Sequence, residues 1–354
     1  MRKNVVCPWF TIFTLPERSN MHEPISPVKC DAVWTAEAMR SSTRWIHEFT
    51  AQEKSEIANA LEAVRRKNLR VPFAAAQFPL DALAKRLALV RKEVEDGSGV
   101  MLMRGLPVDD YGLEGTRLVY WGLGAHLGTA LAQNPRGELL VEVRDAGGNQ
   151  YTDPTSRGYH TSNKLPFHND QSDMVGLLCY RRAKAGGMSS IASAAAVHNQ
   201  ILAERQDLLE VMYRPYYCDV RGEEPPGRKP YYTEPRFSVF KGRLFTQHGR
   251  TYIESAQRFA EVPRLTAQQD EAMKLVDTLC ASDKFRLDMD FRRGDIQLLN
   301  NRVILHSRTD FEDYDEPDQK RLLLRLWLRT PSYAEVPSYF TQRYEDMEFW
   351  RRTP

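Results

Sequence analysis

Apolar residues along this chain repeat at two different intervals, and the changes of interval mark where helices give way to strands. Leu80, Leu83, Leu87, Val90 and Val94 recur every three or four positions, which places them on one face of a helix from Pro79 to about Glu95. Ile57, Leu61 and Val64 do the same within 54–67, and the capping box Thr50-Ala-Gln-Glu53 opens that helix. Residues 115–127 form a third amphipathic helix. A second capping box, Thr266-Ala-Gln-Gln269, opens a helix that reaches about Cys280, and segments 194–204 and 207–212 also read as helical.

The other apolar runs are short. Segments 100–107, 139–143, 175–180, 188–192, 295–299, 302–306 and 321–329 have strand length, punctuated by turn residues such as Asp96-Gly-Ser-Gly99 and Ala185-Gly-Gly187. Residues 214–250, rich in Pro, Gly, Tyr and Arg, suggest a long excursion with short strands, and 146–163 a glycine-rich polar loop. Many short strands flanked by helices predict a mixed α+β fold built on a β-sandwich or jelly roll. Residues 1–45 show no clear period and read as an N-terminal arm laid on the body, with 46–354 as a single domain.

Composition narrows the classes further. Apolar content of 42% and charged content of 27% are those of a soluble globular protein. The net charge of +2, from 49 basic and 47 acidic residues, gives no field that favours nucleic acid or membrane. No apolar stretch is long enough for a spanning helix, and the Arg-Lys start, interrupted by Pro8 and Pro16, lacks the pattern of a signal peptide. The cysteines Cys7, Cys30, Cys179, Cys218 and Cys280 are odd in number and form no C-x-x-C, which argues against a disulfide framework or zinc ribbon and for a reducing, cytoplasmic setting. The expected partner is a small molecule. A homo-oligomer is compatible with the sequence, which does not set the assembly state.

The chemistry concentrates in Leu165-Pro-Phe-His168-Asn-Asp170. In an extended chain His168 and Asp170 face the same side and Asn169 the other, which makes two-thirds of the facial triad that suits non-haem Fe(II). On its own an H-x-D pair is more often plain surface polarity. A second histidine, His306, ends the apolar run Asn300–Leu305; bonded to a backbone carbonyl it would need no metal, but in a jelly roll it could supply the third ligand. Arg321, Leu323, Arg325, Trp327 and Arg329 share one face of the last strand, and Leu322, Leu324, Leu326 and Leu328 share the other. A surface strand explains the leucines but not an opposite face built from guanidinium groups, which clamp carboxylates. His168, Asp170, His306 and Arg321 together ask for a metal and a dicarboxylate such as a 2-oxo acid.

The runs LPFHNDQSD, AGGMSS, NNRVILHSRTDFED and RLLLRLWL, in that order over about 97–330, resemble the TauD/TfdA-like group of Fe(II)/2-oxoglutarate-dependent dioxygenases. The resemblance implies a double-stranded β-helix (jelly-roll) core with flanking helices. It implies that His168, Asp170 and His306 are the catalytic iron ligands, that Arg321 and Ser189 hold the distal carboxylate of 2-oxoglutarate, and that Arg325 meets its C1 carboxylate or an anionic substrate. The implied cosubstrates are 2-oxoglutarate and O2, and the implied outcome is ferryl hydrogen abstraction with release of succinate and CO2. The carboxylate of Asp170 favours oxidation over the halogenation of relatives with a small residue there. Asn163, Phe167, Phe311 and Arg325 are candidate contacts to a small polar or carboxylated substrate, such as an amino acid. Two other readings use the same residues: a zinc-dependent hydrolase, which leaves Arg321 and Ser189 without a role, and a degenerate jelly-roll binding protein, which the intact ligand set does not favour.

Overall fold

The computed structural model describes residues 25–148 and 157–352; Cys7, the segment holding Pro8 and Pro16, and the middle of the 146–163 loop lie outside them. Both capping boxes form. Thr50 Oγ1 accepts from the Glu53 N–H at 3.2 Å while the Glu53 carboxylate accepts from the Thr50 N–H at 2.8 Å, opening the helix Ala51–Arg66. Thr266 and Gln269 repeat this for Ala267–Ala281. The helix anticipated from Pro79 begins at Ala82, because its first amides are capped from outside: the Glu56 carboxylate accepts from the N–H groups of Asp81 and Leu83, both at 3.1 Å. The third helix starts earlier than its apolar period, spanning Val108–Leu127, with an interruption at Gly112, where φ is +63°.

Two sheets form the double-stranded β-helix. The larger runs, in spatial order, Ile46–Glu48, Val100–Arg104, Ile296–Asn300, Met174–Arg181, Leu322–Arg329 and Thr129–Ala130, with Leu140–Val143 also paired to Leu322–Arg329. The smaller runs Leu287–Met289, Ser189–Ser193, Ile304–Arg308 and Leu165–His168. Each inner strand of the large sheet divides its side chains between two cores. Leu322, Leu324, Leu326 and Leu328 join Ile57, Leu83, Leu87 and Val119 in the layer beneath the three N-terminal helices. Leu323 and Trp327 point the other way, into the core between the sheets with Val175, Ile191 and Leu305. The arginine face of the last strand is therefore the inner one.

The N-terminal segment is part of this body from residue 25 on. Trp34 and Trp45 are buried in the inner core, and Ile46–Glu48 adds a parallel strand to Val100–Arg104. The helix Ser338–Arg352 was not anticipated, although Phe340, Tyr344 and Met347 fall at helical spacing. Arg302, fully buried, ties that helix to the core: its Nη2 donates to Asp173 Oδ1 at 2.7 Å and to Tyr344 Oη at 2.5 Å, and its guanidinium lies 4.0 Å from the Phe340 ring centre.

Candidate active site

Antiparallel pairing places His306 directly opposite His168, on neighbouring strands of the small sheet, with ring centres 4.2 Å apart. Asp170 lies just past the end of its strand, and its Oδ2 is 3.9 Å from His306 Nε2. One ligand atom from each of His168, Asp170 and His306 lies within 4.8 Å of the others, a spacing that a single metal ion spans. The donor set is prepared for a cation. His168 Nδ1 donates to the Pro166 carbonyl at 2.8 Å, which leaves Nε2 as the free lone pair. Burial lowers the pKa of both imidazoles, that of His306 to about 3, so both stay neutral. Burial pushes the Asp170 carboxyl up, but the surroundings, the Arg325 guanidinium first among them, more than reverse this and hold it ionised. Asp170 Oδ2 is buried with no hydrogen-bond partner. Two neutral nitrogens and one anionic oxygen fit a divalent metal.

Two cavities open from this point. The first is lined by His168, Asp170, Ser189, His306, Arg321 and Arg325, among others. Arg321 is the unusual wall. Its guanidinium is buried and forms no ion pair among the described residues, Nη1 has no hydrogen-bond partner, and burial pushes its pKa down to about 10. Its charge is supported by the face of Phe311, 5.0 Å away, and at longer range by Asp313, without a contact ion pair. Gly187, at φ +69°, makes room for it: a Cβ there would sit 3.2 Å from Arg321 Nε. Ser189 Oγ accepts from Gln297 Nε2 at 3.2 Å, which leaves its own hydrogen free to donate into the cavity. Ser190 points elsewhere, donating to Asp288 at 2.6 Å. The walls thus offer a cation and a hydroxyl donor, and the one carboxylate lining this cavity, Asp170, pairs with Arg325 and not with Arg321.

Arg325 stands where the two cavities join. Its Nη1 is 3.4 Å from Asp170 Oδ1, its Nε donates to Gln133 Oε1 at 2.7 Å, and its guanidinium lies between Tyr159 and Trp327, 4.4 and 4.7 Å from their ring centres. The second, larger cavity runs from His168 and Asp170 past Phe167 and Trp327 to Arg157, Glu234 and Arg343.

The other candidates divide. Phe167 lines the larger cavity, but Asn163 and Phe311 line neither cavity. Asn163 gives its carbonyl to Arg308, and Phe311 packs under the guanidinium groups of Arg308 and Arg321. Asn169, turned away as alternation requires, donates to the carbonyls of Asn301 and Ile304 at 2.7 and 2.8 Å and so braces the metal strands. Sequence reasoning passed over Gln133 and Arg308, and placed Trp327 on the arginine face without giving it a role. Arg308 was accessible, since it follows His306 by two positions on the same strand; Gln133 sits in an irregular segment and carries no periodic signal.

The profile described as "Taurine catabolism dioxygenase TauD, TfdA family" matches residues 65–327. FR-33289 synthase of Streptomyces rubellomurinus (strain ATCC 31215) is 32% identical over 320 residues, covering 88% of this chain and 93% of that protein. Among solved structures, asparagine oxygenase in complex with Fe(II), 2S,3S-3-hydroxyasparagine and succinate superposes with a TM-score of 0.60 at 17% identity, over 80% of this chain and 93% of that one. The non-heme iron oxygenase OrfP in complex with Fe and alpha-ketoglutaric acid does so with a TM-score of 0.58 at 14% identity, over 80% and 94%. At these identities the structural likeness establishes the shared fold.

Proposed function

This chain belongs to the TauD/TfdA family of dioxygenases, and from that premise we propose that it oxidises a small amino-acid-like substrate using Fe(II), 2-oxoglutarate and O2. The observation that carries the reading is the unpaired, buried guanidinium of Arg321 in the same cavity as His168, Asp170 and His306. A zinc hydrolase has no use for that cation, whereas a dicarboxylate cosubstrate supplies its missing counter-ion. In this reading His168, Asp170 and His306 hold the metal. Arg321 and Ser189 bind the far carboxylate, and Arg325 keeps Asp170 ionised and oriented. Bound together, iron and the oxo acid supply an O2-dependent oxidation that yields succinate and CO2 and removes hydrogen from the substrate. Phe167 and Trp327 give the larger cavity an apolar wall beside the metal ligands, which limits water at the reacting end. The amino-acid substrate class is supported by the hydroxyasparagine bound to the asparagine oxygenase.

The test is anaerobic addition of Fe(II) and 2-oxoglutarate, followed optically. A weak visible charge-transfer band is expected in wild type, shifted to higher 2-oxoglutarate concentration in Arg321→Lys, and a screen of amino acids then reads succinate release. No band at any concentration, or tight Zn(II)-dependent hydrolysis instead, defeats the proposal.

A further inference from the structure

The wall of the larger cavity formed by strands Pro215–Asp219 and Tyr231–Pro235, the turn before Arg250–Ala256 and the helix Ser338–Arg352 carries polar atoms that the protein itself leaves unanswered. Gln171 Oε1, Glu234 Oε2, Arg236 Nε, Gln247 Nε2, and Arg343 Nε and Nη1 are all buried without a hydrogen-bond partner, and all five residues line this cavity. Buried polar groups are almost always paired, so such a concentration on one wall marks where something else completes the bonds. The set contains both kinds of group: two acceptors, one a carboxylate, and four donors, three of them on guanidinium groups. Among these residues the protein pairs Glu234 with Arg236 through their other atoms and leaves the named atoms unmatched. Glu234 Oε1 accepts from Arg236 Nη2 at 3.2 Å, but no bond or ion pair joins Glu234 to Arg343. The nearest acid to Arg343 is Asp346, at 3.7 Å, which is also engaged by Arg228 at 3.3 Å.

The position of Arg343 is fixed. It precedes Tyr344, whose hydroxyl donates to Asp173 at 2.6 Å within the Arg302 network, and its guanidinium stacks 4.6 Å from the Tyr232 ring centre. Burial raises the pKa of Glu234 beyond what Arg236 and Arg343 restore, and although Arg236 meets Oε1, the second oxygen, Oε2, is left without a partner.

Resting on the amino-acid reading above, we propose that Arg343 and Glu234 form the head-group subsite of the primary substrate. The α-carboxylate of an amino acid accepts from Arg343, Arg236 and Gln247. Its α-ammonium donates to Glu234 and Gln171, and the side chain extends along the same cavity toward His168 and Asp170. The juxtaposition needs both charges on one carbon of one ligand, which a simple acid or a simple amine lacks.

The probes are L-norvaline, pentanoate, which lacks its amino group, and n-butylamine, which lacks its carboxylate. Each is titrated calorimetrically into protein loaded with Fe(II) and 2-oxoglutarate under argon, so that the cosubstrate cavity is filled. Wild type is expected to bind L-norvaline at least tenfold more tightly than either fragment. Arg343→Gln should lose at least tenfold in L-norvaline affinity, with partial rescue in Arg343→Lys, and Glu234→Gln should erase the preference for L-norvaline over pentanoate. In all three variants the 2-oxoglutarate charge-transfer band and the thermal melt should match wild type, which separates loss of the subsite from loss of fold. Equal binding of the three probes to wild type, no binding of L-norvaline, or wild-type affinity in Arg343→Gln overturns the subsite. Absence of the charge-transfer band in wild type overturns the dioxygenase reading instead, and the same titration on unloaded protein still tests Arg343.

Discussion

Arg302 and Arg321 are both buried arginines close to the ends of strands in the same β-helix, yet the fold treats them in opposite ways. Arg302 is given its counter-ion, Asp173 at 2.7 Å, and a tyrosine hydroxyl, so its pKa is held well above the usual value. Arg321 is given an aromatic face and no contact ion pair among the described residues, and burial pushes it down to about 10. A charge enclosed with its partner braces the structure; a charge enclosed without one has been placed for something that arrives later. The same contrast separates Asn169, whose amide is spent on two backbone carbonyls, from Asp170, whose Oδ2 has no partner.

The largest effects test the functional side of that divide. His168→Ala, Asp170→Ala and His306→Ala should each take Fe(II)-dependent succinate formation below detection while leaving the urea midpoint of the metal-free protein near wild type, because an open three-ligand site cannot spare a ligand. A variant that keeps turnover would remove that residue from the ligand set. On the structural side, Arg302→Met should lose about 3–5 kcal/mol in urea unfolding, since Asp173 would be left buried and unpaired. A loss under about 1 kcal/mol would mean that the network is not a brace.

Arg321→Lys sharpens the comparison, because it should do the reverse: unchanged or slightly higher stability without cosubstrate, and roughly ten- to a hundred-fold weaker 2-oxoglutarate binding as the planar guanidinium is lost. Ser189→Ala should weaken the same binding by a smaller factor, read from the same titration. Normal 2-oxoglutarate affinity in Arg321→Lys would give the carboxylate to another cation, with Arg325 the first to examine.

The smallest effect concerns His198, buried on the helix Ala194–Glu204 with Nε2 2.8 Å from the Tyr213 hydroxyl. Burial lowers its pKa in the folded protein below the ordinary value near 6.5, so the unfolded chain takes up the proton first. Its contribution to stability is therefore complete above about pH 6.5 and is lost as pH falls below it, by at most about 1.4 kcal/mol per pH unit. Urea midpoints at pH 7 and pH 5 should differ less in His198→Gln than in wild type; an equal difference would place the acid sensitivity elsewhere.

Much of this was legible in the chain. Alternation in Leu322–Arg329 separated a leucine face from an arginine face, and the two capping boxes located their helices to within a few residues, because these signals depend only on neighbours along the backbone. The start at Ala82 was not legible, since its cap comes from Glu56 on another helix. The head-group wall was not legible either: Arg343 sits among Arg, Glu and Asp residues that resemble a solvated helix end, and only the Arg302–Asp173–Tyr344 network turns it inward.

By itself, then, the sequence determined which residues share a face, where helices begin when their caps are local, and, through H-x-D, His306 and the spaced arginines, which chemical groups were available. Spacing alone did not rank Arg321, Arg325 and Arg329, which have equal spacing and identical side chains; the family resemblance gave Arg321 the far carboxylate. Tertiary structure separates them by what lies opposite each one: the cavity shared with the metal ligands for Arg321, Asp170 and Gln133 for Arg325, and the Ala334 carbonyl at the protein surface for Arg329. The physical reason is that backbone geometry sets the direction of a side chain, whereas charge, burial and partners depend on strands that are remote in the chain and meet only when the sheets close.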